Sequence, residues 1–397
     1  MVSGAQGKLT LASTGGFIKR AGCNPALQGI DESARAIQHG GMMMNRRSLL
    51  ATAASGLAAG LMPASRAAAA DSGKLAFGLD HFAVRATGWK AGQYIEYGAG
   101  LKLDTVFLSE LGVFENFEDG YLQGLKEQAD RAGLRLYVGT GSVCGTSNTW
   151  KDTYGTPEEH LKHTIKVAKK LGSPVARCYL GNQKDRQSDG GIERHIEEVI
   201  KTCKACQSFA EGEGIKIAVE NHAGDMQSHE LVALIEAAGK GYVGANIDPG
   251  NAVWAMEEPM RHLETVGPYT LCSSVRDSMV WETEVGVVVQ WTAVGEGLVD
   301  FKAYAKRFAE LAPGVPLQGE TISGVPRPLT WRTEDFWKMF PKMSAADFAD
   351  FLNFAKRGHE IPTFKAPEGQ DKKQADIAYQ KGEFERSIAW LRANAAA

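Results

Sequence analysis

From Lys74 onward, short apolar runs alternate with longer stretches whose apolar positions recur every three or four residues. The short runs are Leu75–Asp80, Thr105–Glu110, Leu134–Gly139, Val175–Leu180, Ile215–Glu220, Val243–Asp248, Thr270–Arg276 and Val315–Glu320. Nearly continuous apolar character is what parallel strands covered on both faces require. The helical stretches carry clear punctuation. Thr156-Pro157-Glu158-Glu159 supplies an N-cap, a proline at the first helical position and a capping-box Glu, and Gly172 closes that helix. A helix over 192–210 puts Ile192, Ile196, Val199, Cys203 and Cys206 on one stripe, and Phe301, Tyr304, Phe308 and Leu311 repeat the pattern after Asp300.

Eight β/α units with no linker between them predict one α/β domain, a single closed (β/α)8 TIM barrel. A doubly wound open sheet is the alternative, but no Gly-x-Gly-x-x-Gly turn follows the first run. Two stretches exceed the repeat: a hairpin-like segment 278–297 and a Trp/Phe/Pro-rich segment 322–345. Both fall on the face where barrels keep their active sites, so they read as loops over a substrate. Trp281, Trp291, Trp331 and Trp337 lie in them and suit either loop packing or sugar stacking.

The stretch before Lys74 is of another kind. Residues 1–41 are polar and Gly-rich without periodicity, and read as upstream or disordered sequence. Arg46-Arg47 then precedes an Ala/Gly/Leu run to Met62 and an Ala-rich stretch ending at Ala70. This is the pattern of a twin-arginine export signal over 42–70, with translation starting at one of Met42–Met44. The run is too short to span a bilayer, so no stable membrane anchor is expected. The expected product is a periplasmic domain over 71–397.

Lys+Arg 44 against Asp+Glu 47 gives a net charge of −3, which argues against a nucleic-acid partner. Six cysteines are too few for a disulfide scaffold. Cys203 and Cys206 share a helix stripe and read as core rather than redox groups. His160, His163 and His195 read as solvated helix-surface residues. Gly295-Glu296-Gly297 lacks the Lys of a phosphate loop and reads as a turn. Self-association into a homo-oligomer is left open.

Functional groups of a barrel belong at the C-terminal ends of its strands. Those positions hold Asp80-His81, Glu110, Arg177, Glu220-Asn221-His222, Asp248 with Asn251, Arg276-Asp277 and Glu320. Acids closing strands five, six and eight converge on one mouth, where their mutual repulsion calls for a cation. Two Glu and one Asp suit one divalent ion such as Mn²⁺, Mg²⁺ or Co²⁺, with Zn²⁺ also acceptable.

Over roughly residues 74–360 the chain resembles the xylose isomerase-like TIM barrels, the superfamily of sugar isomerases and epimerases that also holds endonuclease IV-type enzymes. The resemblance is carried by Ala218-Val219-Glu220-Asn221-His222, Asn246-Ile247-Asp248-Pro249-Gly250-Asn251, Val275-Arg276-Asp277, the stretch Val294–Phe301, and Gly319-Glu320. It implies a metal held by Glu220, Asp248, a His and Glu320. The histidine is missing: Ser274 stands at its place. Either three protein ligands and waters complete the site, or another residue substitutes, for which Gln290, with His81 and His222 behind it, is the candidate the sequence offers. Endonuclease-type chemistry needs a histidine-rich zinc cluster, which nine scattered histidines do not supply.

The resemblance implies a divalent-metal-dependent sugar isomerase or epimerase working through an enediolate on a small keto sugar or sugar derivative. Glu220 and Glu320 would move the proton, His222 and Arg276 would steer the developing charge, and Asp277 would orient Arg276. One alternative is a lyase or dehydratase that expels a β-substituent from 3-oxo-glycosides or inososes. Another is a non-catalytic sugar-binding barrel.

Overall fold

A computed structural model describes residues 75–395; the segments 1–41 and 42–70 read above as upstream sequence and export signal lie outside the described residues. Eleven strands follow in chain order: β1 Phe77–Asp80, β2 Thr105–Leu108, β3 Arg135–Ser142, β4 Val175–Tyr179, β5 Lys216–Glu220, β6 Val243–Ile247, β7 Thr270–Ser273, β8 Asp277–Thr283, β9 Gly286–Thr292, β10 Leu317–Gly319 and β11 Pro326–Leu329. Parallel pairing runs from β1 through β7 in sequence order, and β1 also pairs with β10. A parallel bridge from Val275 to Gly319 joins the β7 end to β10. The sheet is therefore closed on itself, and the open-sheet alternative is excluded.

Strand β1 approaches β2 closely because Gly78 has no side chain; a Cβ there would lie 1.9 Å from Thr105 Oγ1. Phe107, Tyr137, Val175, Ala218 and Cys272 form a small cluster inside the barrel, apart from the larger core between strands and helices. The capping box predicted at Thr156 is present, with Thr156 Oγ1 accepting from the Glu159 N–H at 3.3 Å. Cys203 and Cys206 are buried and free, and burial pushes the Cys206 thiol up to about 12, so core packing is their role.

Helices follow the first seven barrel strands within their own connections, but the helix of the eighth unit comes late. Residues Lys372–Asn394 form it, some fifty positions after β10, and it packs on the 3₁₀ segment His81–Thr87. Its apolar stripe is thin, with Phe384, Ile388 and Leu391 buried beside Glu383 and Ser387. Strands β8 and β9 are the expected hairpin, and β11 from the second decoration pairs antiparallel with β9. Trp331 and Trp337 pack edge-on against Phe348, so these two are loop packing. Among the described residues, no helix is long and apolar enough to cross a membrane.

The histidine expectation is corrected. His160 and His195 are 5% and 1% exposed, and His163 stacks on Tyr154. The helices turn His160 and His195 inward because hydroxyls await them: Thr140 meets His160, while Thr146 and Ser188 hold the two ring nitrogens of His195.

Candidate active site

The strand ends place Glu220, Asp248 and Glu320 together, with carboxylate oxygens all within 4.8 Å of one another and all three side chains buried. Local sequence explains each position. Asp248 caps the short helix Pro249–Trp254, its Oδ1 accepting from the N–H groups of Gly250 and Asn251 at 2.8 and 3.0 Å. Glu220 closes β5; its Oε2 accepts from Arg177 Nε at 2.6 Å and from Asn246 Nδ2, and its Oε1 from Asn251 Nδ2 at 3.1 Å. Glu320 follows the bridge that closes the barrel, donating its N–H to Val275 O at 2.9 Å.

Arg276 lies across two of the three acids. Its Nη2 donates to both Asp248 Oδ2 and Glu320 Oε2. The side chain fits there because residue 250 is glycine: a Cβ at Gly250 would lie 2.3 Å from Arg276 Cγ. Trp291 covers the guanidinium at 4.3 Å and donates its indole N–H to Gly250 O. Trp254 stacks on Trp291 at 3.7 Å, and Arg327 sits over Trp254 at 4.0 Å.

Charge does not balance within this group. Asp80, Glu220, Asp248 and Glu320 are buried carboxyls, against the two buried guanidiniums of Arg177 and Arg276. Burial, with its neighbouring acids, pushes Glu320 well above the usual carboxylate range; burial and Glu220 bring Asp248 to about 7 against the pull of Arg276. One divalent ion would match the two uncompensated negative charges, and the three clustered acids supply hard oxygen donors for it. The triad thus fits a divalent ion in charge and donor type. The ion and Arg276 would share the oxygens of Asp248 and Glu320.

Ser274 donates to Asp80 Oδ2 at 3.0 Å and accepts from Asn246 Nδ2 at 3.1 Å, which ties it into the barrel's inner layer. Gln290 keeps its Oε1, the oxygen expected to be the ligand, buried without a hydrogen-bond partner among the described residues. Successive residues of a strand point to opposite faces, and its neighbour Trp291 takes the face toward Arg276. Gln290 Nε2 donates to Pro362 O at 3.1 Å. His81 is apart: its Nδ1 accepts from the Ser109 N–H, and burial lowers it to about 4.

His222 stands at the mouth, stacked on Tyr179 at 3.8 Å, with Nδ1 2.6 Å from Gly181 O. A carbonyl can only accept, so Nδ1 carries the proton and Nε2 is a free acceptor. Burial lowers His222 to about 4, so near neutrality it is neutral and its Nε2 offers a hydrogen-bond acceptor rather than a positive charge. Asp277 does not orient Arg276 either. Its carboxylate accepts from the N–H groups of Ser278, Gly295, Gly297 and Val299, which makes the Gly295–Gly297 turn a staple at the base of the hairpin.

Arg177 and Glu110 were visible as strand-end residues yet had no assigned partner in the sequence, and Tyr179 was not singled out. Burial brings Glu110 up to about 7 despite Arg177. Trp254 and Arg327 carried no sequence signal, because their stacking joins a helix after β6 to a strand 73 positions later.

A model of the family described as xylose isomerase-like TIM barrel matches residues 95–335, more than half of the chain. Uncharacterized protein YihM of Escherichia coli is 20% identical over 188 residues, 47% of this chain and 52% of that protein, so the match spans about half its length. 3-oxo-isoapionate decarboxylase of Pectobacterium atrosepticum is 22% identical over 227 residues, 54% of this chain and 75% of that protein. The crystal structure of D-psicose 3-epimerase with D-fructose superposes with a TM-score of 0.54 at 15% identity, covering 81% of this chain and 100% of that one. At that identity the likeness is one of fold.

Proposed function

The chain belongs to the xylose isomerase-like TIM barrel family, and from its site we propose that it is a sugar isomerase or epimerase moving a proton beside the carbonyl of a keto sugar or sugar derivative. The observation that carries the reading is the pairing of two unlike carboxyls in one buried site. Burial and the neighbouring acids raise the proton affinity of Glu320, which suits it to deliver a proton. Glu220, fixed by Arg177, Asn246 and Asn251, keeps one oxygen with a single amide partner and can accept one. His222 Nε2 offers a second acceptor for a substrate hydroxyl.

Glu220, Asp248 and Glu320 would hold one divalent ion of the Mn²⁺, Mg²⁺, Co²⁺ or Zn²⁺ type. When bound, such an ion supplies Lewis-acid polarisation of neighbouring substrate oxygens. Arg276, beside the same acids, balances charge, and Trp291 with Trp254 walls off water on one side.

The matched decarboxylase favours a second reading, in which the same carbanion arises by or leads to loss of a group rather than reprotonation. Incubation of keto sugars and 3-oxo-glycosides in D₂O separates the two. Deuterium uptake without bond cleavage is expected, and it should fall about 100- to 10,000-fold in Glu220→Gln and in Glu320→Gln. Group release, accompanied by deuterium at the new C–H bond where the group lost is a carboxylate, would make the protein a lyase, and neither release nor uptake would leave a sugar-binding barrel.

A further inference from the structure

Arg327 is a cation without an anion. It projects from β11, between Pro326 and Pro328, so its backbone is held extended before a substrate arrives. The guanidinium lies over Trp254 and donates to Gln183 Oε1 at 2.8 Å and, weakly, to Ala223 O at 3.5 Å. Both partners are neutral. Among the described residues it has no ion-pair partner, and burial alone pushes it down to about 10. A guanidinium has five N–H donors, so three remain unused.

Its surroundings belong to the mouth of the barrel. Ala223, which accepts from it, follows His222 and adopts φ 47, a left-handed conformation that a non-glycine residue keeps only when its neighbours impose it. Trp254, beneath it, stacks on Trp291, which covers Arg276 and so the acids. Arg85 on the opposite rim makes the contrast. It too is half-buried and makes no ion pair among the described residues, but the charges of Glu320 and Asp376 offset part of its burial, whereas no charge does so for Arg327. A partly desolvated, preorganised and unpaired arginine is a costly arrangement unless an anion completes it.

We propose that the substrate carries a carboxylate at the end remote from its reacting carbons, and that Arg327 is the residue that selects it. One planar fork with no second cation beside it suits a carboxylate better than a phosphate dianion. This rests on the keto-sugar reading of the site and narrows it to sugar acids.

The test is calorimetric titration with three probes that share one carbon chain: D-fructuronate, D-fructose and D-fructose 6-phosphate. The acid should bind about 10- to 100-fold more tightly than fructose, the worth of one charge-assisted hydrogen bond. Arg327→Gln should bring the acid and fructose to within about twofold of each other, and Arg327→Lys should keep part of the preference. A melting curve of each variant verifies folding, and Arg85→Gln, which should keep the preference, guards against a general charge effect. Equal affinities in the unmodified protein, a preference that survives Arg327→Gln, or no binding of any probe would overturn the assignment. Tighter binding of the phosphate would replace the carboxylate. Proton exchange in D₂O on whichever probe binds reports on the catalytic reading separately: binding preference without exchange keeps Arg327's role and ends the isomerase reading.

Discussion

Replacing Arg276 by Met removes the cation from between Asp248 and Glu320 while keeping much of the side-chain volume under Trp291. The acids are then left within 4.8 Å of each other in a buried site. At an effective dielectric constant of about 20, two unit charges at that distance repel by about 3.5 kcal/mol. Removing one partner of a buried ion pair generally costs about 3–5 kcal/mol, so the two routes agree. With chelator present, melting should drop by about 4–7 °C for a protein of this size. The loss should be smaller at pH 5 than at pH 8, because both acids take protons more readily once Arg276 is gone. Added Mn²⁺ or Zn²⁺ should restore much of it, since a divalent ion can then take the vacated place. Thermal melts with and without metal, on both proteins, give the comparison. The metal-induced gain must be larger in Arg276→Met than in the parent. Equal gains in the two proteins, or no loss in chelator, would refute the claim that ion and guanidinium share these oxygens.

Two further outcomes are expected. Asp225 is fully buried and pushed up to about 8, so the folded protein holds a proton there that the unfolded chain has already released near pH 4. Stability from this group is therefore lost as pH rises from about 4 to 8, and the slope of melting temperature against pH should flatten in Asp225→Asn. An unchanged slope would mean that Asp225 stays ionised. Replacing Arg46 and Arg47 together by Lys should leave the uncleaved protein in the cytoplasm, as we propose for a twin-arginine signal over 42–70; cleaved protein in the periplasmic fraction would end that proposal.

The barrel was legible because each strand is a mostly apolar run, and Glu220, Asp248 and Glu320 are the acids that close three of them. What escaped was set by facing rather than by type. Gln290 and Trp291 are adjacent, and nothing but the register of the hairpin decides which of them looks at the acids. Asp277 has the right neighbour for orienting Arg276, yet four backbone N–H groups nearer to it claim its oxygens. His160 and His195 were misread because polarity suggests the surface, while the hydroxyls that make burial tolerable lie on other elements. The helix over Lys372–Asn394 was missed for the opposite reason: its mostly polar sequence hides a narrow stripe that only the barrel wall reveals.

That last helix bears on how the molecule is made. The barrel closes by joining its ends: β1 with β10, and the segment after β1 with residues 372–394, where the Ala86 N–H is held by Gln380 across 294 positions. Contacts between such distant points are slow to form, because loop closure comes before any gain from them. A ribosome that has delivered β1 through β7 therefore holds an unclosed sheet with both edge strands bare until β10, Leu317–Gly319, has emerged. In that interval β1 and β7 are free to pair with other chains. Slowing synthesis before β10 has left the ribosome should then raise aggregation, while a delay after it has left should not.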